Sequence, residues 1–165
     1  MRKALIALVV LVLSGLAVAG VAWAANDNSK SDAHRRQDVL ADTRRATNRY
    51  RDVNVAIADG FADLKLCVPQ MGQHYTLGGD AHTFSDGVID AEKPEALVYA
   101  DDGKGGLKLV AVEWVSTTPG SVVGQDLHLN TDLNVYVLHA WIAQGNPDGV
   151  FADMNPNIGG CADRP

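Results

Sequence analysis

Glu113 and His139 each interrupt an otherwise apolar run, Leu107–Val115 and Leu133–Ile142. A buried carboxylate or imidazole is costly without a partner, so the two residues point to a site. His74, in Met71-Gly72-Gln73-His74-Tyr75, is a third candidate, and His128, in Asp126-Leu127-His128-Leu129, a weaker fourth. Two imidazoles and a carboxylate suit Zn²⁺, or a redox ion such as Fe²⁺, Mn²⁺ or Cu²⁺. These residues lie far apart in the chain, with no His-Glu-x-x-His helix and no His-x-His pair, so the signal is of residue type rather than spacing. Two other arrangements use the same side chains. One is a hydrogen-bonded core pair of Glu113 and His139. The other is a small-molecule pocket with Tyr75, Trp114, Tyr136 and Trp141 as apolar wall, in which Glu113 and His139 are placed for acid–base work.

Strand alternation places these residues. In the first run Leu107, Leu109, Ala111, Glu113 and Val115 share a face; in the second Leu133, Val135, Val137, His139 and Trp141 do. Lys108 and Asn134 fall on the opposite faces, which marks the Glu113 and His139 faces as the drier ones.

The elements that must carry them begin with a helix over Ser31–Asp59, where Val39, Leu40, Thr43, Ala46, Tyr50, Val53 and Ile57 recur at helical spacing and Gly60 supplies a C-cap. Its Arg and Asp residues form a solvated, self-paired surface. Strands follow at Phe61–Val68, Gln73–Leu77, Leu97–Tyr99, Leu107–Val115 and Leu133–Ile142, with a strand or loop at Val122–Leu129 and a Gly/Asp-rich loop over 78–95. Asp80, Asp86, Asp90 and Glu92 in that loop depart from EF-hand spacing and read as solvated acids, and His82 and His34 as exposed. With no helix-length crossovers between the later strands, the chain reads as α+β: one long N-terminal helix on a curved, mainly antiparallel sheet, a half-barrel or cone.

The ends of the chain bear on its compartment. Arg2 and Lys3, an apolar stretch over residues 4–25 and Ala22-Trp23-Ala24 read as a signal peptide over 1–24, followed by a polar lead-in over 25–34 and a single domain over 35–165. Left uncleaved, the apolar stretch would be the chain's sole contact with membrane. Loss of Arg2 and Lys3 takes the formal charge from −6 to −8, which argues against nucleic acid as a partner and leaves a metal ion or small molecule. In an exported chain Cys67 and Cys161 are expected to form a disulfide. Nucleophilic and phosphate-binding motifs are missing: there is no Gly-x-Ser-x-Gly, and Gly103–Gly106 lacks the P-loop ending.

Several segments occur together: Met71-Gly72-Gln73-His74-Tyr75, Val112-Glu113-Trp114, and Leu138-His139-Ala140-Trp141 followed by Asn146-Pro147-Asp148-Gly149-Val150-Phe151 and Asn155-Pro156. In their order the chain resembles a family of small exported bacterial proteins of uncharacterised activity. The resemblance implies an exported single domain and carries no ligand or catalytic residue.

Overall fold

The computed structural model describes residues 29–79 and 88–161. The segment read as a signal peptide lies outside these residues, as do Asp80, His82 and Asp86. The chain divides into two compact units, Met1–Asp38 and Val39–Pro165. In the first, residues 29–38 are helical, with exposed local pairs of Arg35 with Asp32 and His34 with Asp38. Residues 29–34, within the stretch expected as a polar lead-in, are therefore helical. The second unit holds the sheet and all the residues discussed below.

Helix α1 covers residues 29–47 and tightens into a 3-10 turn at Asn48–Arg51. The expected continuous helix to Asp59 breaks at Asp52, which is extended at φ −91° and ψ 112°. Its carboxylate accepts the Asn54 N–H and caps a separate helix, α2, at Val53–Ala58; an Asp that can bond its own neighbouring backbone competes with helix continuation. Gly60 follows at φ +96°, the left-handed position expected of it.

The strands are β1 (Phe61–Val68), β2 (Gly72–Leu77), β3 (Ala96–Asp101), β4 (Leu107–Ser116), β5 (Ser121–Val122), β6 (Gln125–Asp126), β7 (His128–Asn130) and β8 (Val135–Ala140). Six form one antiparallel sheet in the order β1-β2-β3-β4-β8-β7, curled as a half-barrel; β5 and β6 form a small separate ribbon. The second apolar run is strand only over Val135–Ala140, because Asn134 sits at φ +53° and belongs to the turn.

One face of the sheet packs under the helices. Leu97, Tyr99, Val112, Trp114, Leu138 and Ala140 form a core there with Leu40, Ala56 and Phe61. Polar atoms in this core are bonded: the Trp114 indole N–H donates to Asp90 O at 2.9 Å and the Tyr99 hydroxyl to Tyr50 O at 2.6 Å. Trp114 is fully buried, so this face is as dry as the one carrying Glu113, and the expected wet/dry contrast between the faces does not hold at mid-strand. A register shift between Val98 and Tyr99 also breaks the simple alternation of β4. Leu109 consequently packs with Val112 and Trp114, while Val110 packs with Val98 and Ala111.

The tail returns to the sheet. Asn155 N–H donates to Gln70 O and Gln70 N–H to Gly159 O, and Cys161 is disulfide-bonded to Cys67 in β1, 94 residues earlier. No helix among the described residues is long and apolar enough to cross a membrane.

Candidate metal centre

His74, Glu113 and His139 come from three strands, β2, β4 and β8, and meet on the face away from the helices. Register explains the meeting. Thr76 pairs with Ala96, Ala96 with Glu113, and Glu113 with His139, so these four lie in one row across the sheet. His74 stands two residues before Thr76 on the same face of β2. Between it and Glu113 runs β3, where Ala96, opposite Glu113, offers only a methyl group. His74 Nε2 lies 3.7 Å from Glu113 Oε2, and His139 Nε2 lies 3.5 Å from Glu113 Oε1. The two rings stand edge to face with centroids 5.9 Å apart. One ligand atom from each residue falls within 4.8 Å of the others, and among the described residues this is where three such groups converge.

The hydrogen bonding is unusual for a dry interior. His74 Nδ1 donates to the Leu66 carbonyl at 3.2 Å, because a carbonyl can only accept. In the neutral ring the proton is then on Nδ1, and the Nε2 lone pair faces Glu113. His139 has no hydrogen-bond partner on either ring nitrogen, and the hydroxyl of Thr76, in the same row, has none. A satisfied core pair would show a short N–H···O bond of about 2.7–2.9 Å. The observed separations of 3.5 and 3.7 Å are longer than that.

Burial governs the charges. Desolvation holds the His74 and His139 pKa values below the usual imidazole range, that of His139 at about 4, and drives the Glu113 carboxyl up; the neighbouring His74 partly counters the rise in Glu113, and Glu113 partly counters the fall in His74. Both imidazoles are therefore neutral at pH 7, the state in which they act as ligands.

The donor set fits a divalent transition metal. Two imidazoles and one carboxylate are known to hold zinc with an open position, or iron as a facial triad. Ligand atoms around a tetrahedral ion with bonds of about 2.0–2.1 Å stand about 3.3 Å apart; here the two His–Glu pairs are at 3.5 and 3.7 Å and the whole set lies within 4.8 Å. The Leu66 carbonyl is the outer partner that fixes a ligating imidazole's tautomer.

Other candidate residues lie elsewhere. His128 is half-exposed at the edge strand β7, where its Nε2 is 3.4 Å from Asp153 Oδ1, and it is not among the converging ligands. Tyr75, Trp114 and Tyr136 pack on the helix face, and Trp141 packs with Val98, Val110, Ala111 and Ile158 while its indole donates to Ala152 O. None of these four aromatics lines the space above the ligands. Asp90 accepts the Glu92 N–H and faces Lys93 at 3.5 Å, as a turn residue does.

Sequence reasoning missed two members of the site. Thr76 was within reach, since it follows His74 by the two residues that repeat a strand face. The Leu66 carbonyl was not: it depends on an irregularity between Asp63 and Cys67, where Lys65 takes φ +59°.

No protein family, curated protein or solved structure matches the chain.

Proposed function

We propose that this chain is an exported binding domain whose His74–Glu113–His139 centre holds one divalent transition metal ion. The observation that carries the reading is a set of buried polar atoms without hydrogen bonds: neither His139 ring nitrogen has a partner, its Nε2 lies 3.5 Å from Glu113 Oε1, and His74 Nε2 lies 3.7 Å from Glu113 Oε2. A single cation between them would serve all three residues and offset the cost of burying Glu113. His74 and His139 would contribute neutral nitrogens and Glu113 the one negative charge. The disulfide supports an oxidising compartment, in keeping with export.

Metal content of untagged protein, measured by mass spectrometry beside a His74→Ala, His139→Ala variant, tests the proposal. About one equivalent of zinc, iron, manganese or copper is expected in the wild type and a small fraction of that in the variant. Absence of metal from both, persisting after incubation with each ion, would remove it.

A second reading, a metal-dependent oxidoreductase or hydrolase, is favoured by one feature: three protein ligands leave room for a fourth on the cavity side. A bound ion would supply Lewis-acid chemistry there. Hydrolysis of a 4-nitrophenyl ester by zinc-loaded but not by metal-free protein would support the hydrolase form of it.

A further inference from the structure

The three ligands form the floor of a cavity of about 240 Å³. Its walls are apolar and come from β1, at one edge of the curled sheet, and from β8, next to the other edge. Leu64, Leu66 and Val68 alternate along β1 on one side; Leu133, Val135 and Val137 lead into and along β8 on the other. Leu64, Leu66, Val68 and Leu133 are only partly buried, and Met154 at the rim is 42% exposed. Apolar side chains left open to water around one concavity mark a binding site. The volume is below the ~300–1,000 Å³ that takes drug-sized ligands, so the occupant is small.

Charge narrows it further. A divalent ion held by two imidazole nitrogens and one carboxylate oxygen leaves the floor with a net positive charge. We infer, resting on the metal reading above, that the cavity takes a small organic monoanion: an oxygen head, such as a carboxylate, completes the metal's coordination and an apolar body of about one aromatic ring fills the space between the β1 and β8 walls. Asn130 and Asp132 lie at the rim with Met154, so an acidic or strongly polar tail is disfavoured there.

Calorimetric titration of the zinc-loaded protein with benzoate and with acetate tests this. The two share a carboxylate and differ by a ring, whose burial is worth about tenfold to a hundredfold in affinity. Benzoate is expected to bind tighter than acetate by that factor, and to lose most of its affinity in metal-free protein. Loss of the preference is expected in Leu133→Lys, which puts a cation in the wall; the bound zinc, assayed in the same samples, reports that the site is intact. Equal affinity for benzoate and acetate in zinc-loaded protein would overturn the inference and leave the metal reading standing. Benzoate binding that is indifferent to zinc would overturn the coordination it invokes. Protein that takes up no zinc would fail at the earlier step, and the inference would fall with it.

Discussion

The two faces of the same sheet handle buried polar groups in opposite ways. On the helix face, Trp114, Tyr99 and Thr43 each have an acceptor, and Thr43 reaches both Val39 O and Ala91 O. On the cavity face, His139 and Thr76 are equally dry and have none. Burial is therefore not what separates core from site in this molecule. What separates them is whether the polar atoms find partners within the protein, and it is the unpartnered face that carries ligand-type residues.

Substitutions on each face can break that contrast. The largest effect is expected for Trp114→Ala on the helix face, which should cost about 3–5 kcal/mol in urea unfolding through the cavity it leaves. Next is acid. The folded His139 pKa of about 4 lies below the ~6.5 of the unfolded chain, so the unfolded state takes up the proton first. Its contribution is fully present above pH 6.5 and is lost as pH falls toward 4, about 3 kcal/mol in all. The raised carboxyl of Glu113 has the opposite sign, favouring the fold at lower pH. The difference between wild type and His139→Leu, followed in metal-free protein from pH 7 to 4, isolates the histidine; equal pH dependence in both would contradict its neutral burial. A smaller effect of reversed sign is expected for Glu113→Leu. Without metal it should stabilise the protein by about 1–3 kcal/mol, since it replaces a buried carboxylate that faces two neutral imidazoles, while abolishing metal uptake. The smallest is Thr43→Val, which should cost about 1 kcal/mol because it strands the Ala91 carbonyl. If Glu113→Leu and Thr43→Val shift the midpoint in the same direction, the two faces do not differ as described.

The part of the site that obeys strand alternation was readable before any coordinates. Glu113 and His139 sit in apolar runs on faces that turn out to be directly paired, and His74 joins them from a third strand. The antiparallel α+β arrangement likewise follows from short connections. What alternation could not supply was the consequence of a slip in it. The shift at Val98/Tyr99 sends Leu109 to the other face, and the Asp52 cap divides a helix whose periodicity looked unbroken. Trp114 and Tyr136 lie close to the ligands in sequence, yet an odd step along a strand puts them on the opposite side. The true walls, Leu64 to Val68 and Leu133 to Val137, depend on the curl of the sheet, which brings β1 and β8 over the same floor.

The bond between Cys67 and Cys161 has a mechanical consequence. It closes a loop that contains β2 through β8, and with them His74, Glu113 and His139. A pull on the two ends of the chain enters at Cys161, crosses one covalent bridge and leaves through Cys67. The load is borne by the helices and the first part of β1, and the strands that hold the ligands are spared the tension. Stretched between its ends, the chain would put tension on Leu64 and Leu66 of the cavity wall while the three ligand residues stay inside the closed loop.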